Sequence, residues 1–177
     1  SEFAEKIIDR KNAFEAFGLT PEKPVIFFMG GSQGARSINY ALRNNFDFFI
    51  EKGYQVIWQT GKYFYDEARN LIETNGAERF IKPFVFINEI EKAYQVADVV
   101  VARAGAISIA ELSSAGKACI FVPLPSAAED HQKKNAEKVA YEGFNKFHRD
   151  RLKRVKTCSL LPDSAYEKGL QWVVPQS

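Results

Sequence analysis

Residues 30–34 read Gly-Gly-Ser-Gln-Gly and follow directly on the apolar run Val25–Met29. Glycines let backbone N–H groups approach a ligand closely. A helical pattern begins at Ala35, so a helix N-terminus adds partial positive charge at the same place. Gly31, Ser32, Gln33 and Gly34 are therefore candidates for holding a phosphate. A plain tight turn accounts for the glycines as well. The stretch is neither G-x-G-x-x-G nor a Walker loop, because no Gly-Lys-Ser/Thr follows.

A second stretch has the same form. Arg103-Ala-Gly-Ala-Ile-Ser-Ile-Ala-Glu111 follows the run Val99–Ala102. With Gly105 before a helix start, the backbone N–H groups of Ala106, Ile107 and Ser108 would lack intrahelical acceptors. Glu111, one turn in, either compensates the helix dipole or accepts two neighbouring hydroxyls, such as a ribose diol. Arg103 is either a surface ion-pair residue or a charge partner at the site. Phe86 and Ile87 end a third strand. Phe86 is either core or a lip against a planar base, with the Ile87 backbone reading the base edge. After a fifth strand come Glu129, Asp130, His131, Gln132 and Asn135. Asp130 beside His131 suggests acid–base chemistry, but Asp is also a common helix N-cap. Gln132 and Asn135 lie three apart on one helical face, and neutral amides suit sugar hydroxyls. His148 reads as solvated. No nucleophile elbow, paired-cysteine site or His/Asp metal cluster stands out.

These residues need elements to hold them. Helical spacing covers about 4–17 and stops at Gly18. Strands are expected at 25–29, 54–59, 79–86, 98–102 and 119–123, with Pro83 moving the third toward an edge. Helices are expected over about 35–52, 63–74, 89–96, 107–115 and 130–142. Strand and helix alternate about five times, which predicts a parallel, doubly wound α/β sheet. Ligands of such sheets bind beyond the carboxyl ends of the strands. That is where the candidate residues lie.

The chain has 177 residues, 46% hydrophobic and 26% charged, with a net charge of +2. This suits one ordinary globular domain and gives no whole-chain field for nucleic acid or membrane. The charge is uneven. Six basic residues and one acid between Asn145 and Lys156 make a block of about +5. Cys119 and Cys158 have no metal-like spacing, which predicts reduced thiols in a cytosolic protein. No apolar run reaches a membrane-spanning length, and Ser1-Glu2-Phe3 lacks a signal-peptide pattern.

Three stretches together resemble a known family. They are G-G-S-Q-G-A-R-S-I-N, F-I-N-E-I-E-K-A-Y-Q-V-A-D-V-V-V-A-R-A-G-A-I-S-I-A-E-L and G-K-A-C-I-F-V-P-L-P-S-A-A-E-D-H-Q-K-K-N-A. Over about residues 5–143 they are similar to the C-terminal half of the MurG family, in glycosyltransferase family 28. Members transfer N-acetylglucosamine (GlcNAc) from UDP-GlcNAc to lipid I, forming lipid II for peptidoglycan. The resemblance implies one Rossmann-like half of a GT-B fold, with residues 1–143 binding the donor. Carried over by position, Ser32 and its glycines face the diphosphate. The Ile87 backbone reads uracil, with Phe86 beside it. Ala106, Ile107 and Ser108 sit at the phosphates and Glu111 takes the ribose hydroxyls. Gln132, with His131 adjacent, contacts the sugar.

The resemblance also implies limits. The acceptor-binding domain, with the proposed catalytic base and the membrane-facing patch, is not in these residues. No catalytic residue is expected here, and the chain alone should be inactive. Lipid I and the membrane surface would be met through that other domain, at the cytoplasmic side of the bacterial inner membrane. No cofactor, metal or nucleic acid is expected, and no Asp-x-Asp pair is present. Ser126 departs from the aromatic or histidine common in the family. Residues 144–177 do not match and are expected to be a divergent, partly disordered basic tail. Two other readings stay open. One is a different GT-B protein, such as a UDP-GlcNAc 2-epimerase or another UDP-sugar transferase. The other is a noncatalytic module whose basic tail meets anionic lipid or nucleic acid.

Overall fold

The computed structural model describes residues 10–30, 35–122, 134 and 171–173. The five expected strands form as β1 (Val25–Met29), β2 (Gln55–Gln59), β3 (Ile81–Phe84), β4 (Val99–Ala102) and β5 (Ala118–Phe121). All neighbours among these five pair in parallel. A short β6 (Gln171–Val173) adds antiparallel to β5. The sheet order is β3-β2-β1-β4-β5-β6. Pro83 lies on the edge strand β3, where its missing N–H costs no ladder bond.

Both faces of the sheet are buried, and strand periodicity decides which residue serves which face. Val25 and Phe27 of β1 pack with Ala13, Phe14 and Phe17 of α1 (Arg10–Phe17). The same layer takes Tyr94 of α5 (Ile90–Val96) and Leu112 of α6 (Ala106–Ser114). Ile26 and Phe28 point the other way. They meet Ile38 and Leu42 of α2 (Arg36–Asn44), Phe49 of α3 (Phe46–Glu51) and Ile72 of α4 (Tyr65–Thr74).

The structure corrects one expectation. The single helix over about 35–52 is two helices, α2 and α3, broken at Asn45 (φ −120°, ψ 23°). The Asn45 side-chain amide donates to the Ala41 carbonyl at 2.8 Å, taking an acceptor at the end of α2. The chain then turns so that Phe46 and Phe49 both reach the core. The expected stops hold: Gly18, Gly53 and Gly116 have φ of 61°, 66° and 62°. Gly18 closes α1, with its amide on the Glu15 carbonyl and the Leu19 amide on the Phe14 carbonyl, both at 3.0 Å. Residues 4–9 of the first expected helix and the helix over 130–142, apart from Lys134, lie outside the described residues. So does the tail, except β6.

Candidate functional site

Pairing register levels the carboxyl ends of the five parallel strands. Phe84 pairs with Gln59, Gln59 with Met29, Met29 with Ala102, and Ala102 with Phe121. Strand order reverses between β1 and β4. The chain runs from β1 outward through β2 and β3, then returns to the other side of β1. Such a reversal splays the following segments apart and opens a crevice. The two glycine-led segments leave β1 and β4, the two strands flanking it.

On the β4 side the geometry is complete. Gly105 is the N-cap of α6, with φ −72° and ψ 147° and no side-chain capping bond. The Ile109 amide makes the helix's first bond, to the Gly105 carbonyl at 2.9 Å. The amides of Ala106, Ile107 and Ser108 precede it and have no intrahelical acceptor. The first turn holds no acidic residue. Among the described residues nothing demands glycine at 105: its φ is ordinary, and an added Cβ would meet only Ser108 Oγ, at 3.9 Å. Ile107 is 76% exposed, unusual for isoleucine at a helix start. Glu111 lies exposed further along the same helix.

Beneath Glu111 is a tyrosine that the sequence reading missed. Tyr94 is buried, with its hydroxyl 3.3 Å from Met29 Sδ. Burial first, then the nearby Glu111 carboxylate, hold that hydroxyl protonated well above its ordinary range. Arg103 is half-buried and donates to the Val122 carbonyl at 3.1 Å, tying the β4 exit to the β5 exit. Burial lowers its pKa.

On the other flank, Phe86 is 54% exposed and Ile87 is buried. The Ile87 N–H is already engaged, donating to Gln59 Oε1 at 3.0 Å. Any reading of a base edge by the Ile87 backbone therefore falls to its carbonyl. Gly31, Ser32, Gln33 and Gly34, with His131 and Gln132, lie outside the described residues. Among the described residues, no group of three His, Cys, Asp or Glu could hold a metal, and no helix is long and apolar enough to cross a membrane.

A parallel sheet of this order, with helices on both faces, defines an α/β Rossmann-like fold. Residues 25–156 match the Glycosyltransferase family 28 C-terminal domain, and the chain belongs to that family. Two curated relatives carry the same name, UDP-N-acetylglucosamine–N-acetylmuramyl-(pentapeptide) pyrophosphoryl-undecaprenol N-acetylglucosamine transferase. The one from Cytophaga hutchinsonii is 48% identical over 134 residues, covering 73% of this chain and 35% of the relative. The one from Parabacteroides distasonis is 44% identical over 133 residues, covering 75% and 36%. A crystal structure of Acinetobacter baumannii MurG superposes with a TM-score of 0.62 at 34% identity, covering 76% of this chain and 38% of that one. The chain thus spans about a third of the length of the curated relatives it matches.

Proposed function

We propose that this chain is the UDP-GlcNAc-binding half of an inverting transferase that converts lipid I to lipid II, with residues 1–143 as the donor domain. The observation that carries the proposal is the start of α6. It presents amides with no partner among the described residues and, further along, an exposed carboxylate, at the strand-order reversal, and the named relatives are N-acetylglucosamine transferases.

In this reading the amides of Ala106, Ile107 and Ser108 face the diphosphate, and Gly105 leaves room for its approach. Ser32 and the surrounding glycines face the diphosphate as well. Glu111 accepts both ribose hydroxyls. Phe86 covers one face of uracil, and the Ile87 carbonyl accepts from the base edge. Gln132 and His131 contact the sugar. In the full-length enzyme the 4-hydroxyl of lipid-linked N-acetylmuramic acid attacks the anomeric carbon. The bond from that carbon to the diphosphate oxygen breaks with inversion. The hydroxyl proton passes to a base outside this chain. UDP leaves with its developing charge stabilised by helix N-termini and backbone amides. The full-length enzyme works at the cytoplasmic face of the inner membrane, reaching lipid I through its other domain.

Calorimetric titration of the chain with UDP-GlcNAc tests the reading. We expect binding, and a loss of about tenfold or more in Glu111→Ala, since a doubly hydrogen-bonded charged group is worth about 1.5–3 kcal/mol. A folded chain that does not bind, or a variant that binds unchanged, overturns the assignment.

A further inference from the structure

Four polar side chains are buried among the described residues: Asn39, Gln55, Gln59 and Thr60. Three of them gather at the carboxyl ends of β1 to β3, under the candidate site. Gln59 is the most connected. Its backbone carbonyl accepts the Gly30 amide at 3.0 Å, and its side-chain Nε2 donates to the Gly30 carbonyl. Its Oε1 accepts the Ile87 amide at 3.0 Å. One neutral side chain therefore joins the residue that opens the Gly30–Gly34 segment to the residue beside Phe86. Asn39 and Thr60 brace the same corner. Trp58 Nε1 donates to Asn39 Oδ1 at 2.9 Å, Asn39 Nδ2 to the Thr60 carbonyl at 2.9 Å, and the Thr60 amide to the Phe84 carbonyl at 2.8 Å.

We propose that Gln59 is a positioning residue that holds Ile87 at a fixed place relative to Gly30 at the end of β1, and so sets nucleobase preference. The inference rests on the donor-site reading above. Only a primary amide of this length supplies one donor and one acceptor to partners on opposite neighbouring strands. Buried at 2% exposure, it has no water to replace either bond. Because the Ile87 N–H is spent on Gln59, the Ile87 carbonyl is the group left to meet the base. Uracil offers an N3–H to a carbonyl, and cytosine does not. A shift of Ile87 should therefore cost UDP more than CDP.

Gln55 supplies a matched control on the same strand. It is buried too, and its side chain bonds the Thr20 amide at 2.8 Å and the Thr20 and Lys23 carbonyls at 2.7 and 3.1 Å. Those bonds lie at the amino end of the sheet, away from the site. The test is calorimetry of the full chain with UDP and CDP, alongside thermal melting, for Gln59→Met and Gln55→Met. Both variants should melt lower. Gln59→Met should bind UDP about tenfold more weakly, with its preference for UDP over CDP reduced about threefold or more, the range expected for losing oriented hydrogen bonds. Gln55→Met should keep both affinities.

A folded Gln59→Met with wild-type affinity and preference overturns the positioning role while leaving the donor-site reading intact. So does a Gln55→Met that loses base preference equally. A wild-type chain that ignores UDP overturns both. Where Gln59→Met does not fold, nuclear magnetic resonance of the wild-type chain decides. The Ile87 amide and Gln59 Nε2 signals should both shift as UDP saturates, and unmoved signals overturn the inference.

Discussion

Glu111 and Tyr94 are near enough for the carboxylate to add to the burial that keeps the phenol protonated. Tyr94 is locked by the core, whereas Glu111 is exposed and has several rotamers to choose from. A neutral phenol beside a carboxylate narrows that choice. In the donor-site reading Tyr94→Phe removes the neutral hydroxyl near Glu111 and should weaken UDP-GlcNAc binding about two- to tenfold, as calorimetry would show. Unchanged affinity would dissociate the tyrosine from the site. Two buried groups also weaken the fold at alkaline pH. Burial pushes the Cys119 thiol from 9.0 up to about 12. Its folded pKa is above its unfolded one, so the folded chain holds the proton more tightly. That stability is complete below pH 9.0 and is lost as the pH rises toward about 12. Tyr94, raised from 10.0, acts in the same sense. Urea melts should therefore give lower stability at about pH 11 than at about pH 8. An equal or higher value would contradict the buried, protonated state of both groups.

At the scale of elements, loops are held by caps and buried amides rather than by length of helix. Gly18 illustrates a conformational requirement. Among the described residues its added Cβ would meet only Lys82 Nζ and Cε, at 3.6 and 3.7 Å, so space is not the constraint there. The cost of Gly18→Ala comes from its φ of 61° and should be about 1–2 kcal/mol in denaturant melts. Phe49 illustrates packing. It is fully buried and edge-on to Phe28 at 5.5 Å between ring centroids. Phe49→Ala should cost about 3–5 kcal/mol while the folded fraction keeps its nucleotide affinity. The strands and most helix stops were legible because short apolar runs and following glycines report local backbone needs. The Asn45 break was not. Phe46-Asp-Phe-Phe-Ile50 continues a helical apolar pattern, and the turn shows in the Asn45 backbone angles and side-chain bond. Gln59 was hidden too, since a polar residue ending an apolar strand reads as a boundary until its partners are seen. The glycine-led start of α6 was legible, because Gly105 and the helical pattern after it are both local signals. The engagement of the Ile87 amide was not, because its partner is 28 residues away.

For the whole molecule, the order β3-β2-β1-β4-β5 brings together stretches as far apart in the chain as Gly30 and Glu111. The amino ends of the strands are tied for stability, as where Asp98 accepts the Val25 amide at 2.8 Å and Gln55 holds residues 20–23. The carboxyl ends are where amides, an exposed aromatic ring and a carboxylate remain available. This polarity predicts where a nucleotide sits. A crystal structure of the chain with UDP-GlcNAc tests it most directly. It should show uracil against Phe86 within hydrogen-bonding reach of the Ile87 carbonyl. The diphosphate should lie on the amides of Ala106, Ile107 and Ser108, and both ribose hydroxyls on Glu111. A nucleotide bound at the amino ends of the strands, or bound without contact to α6, would contradict the assignment.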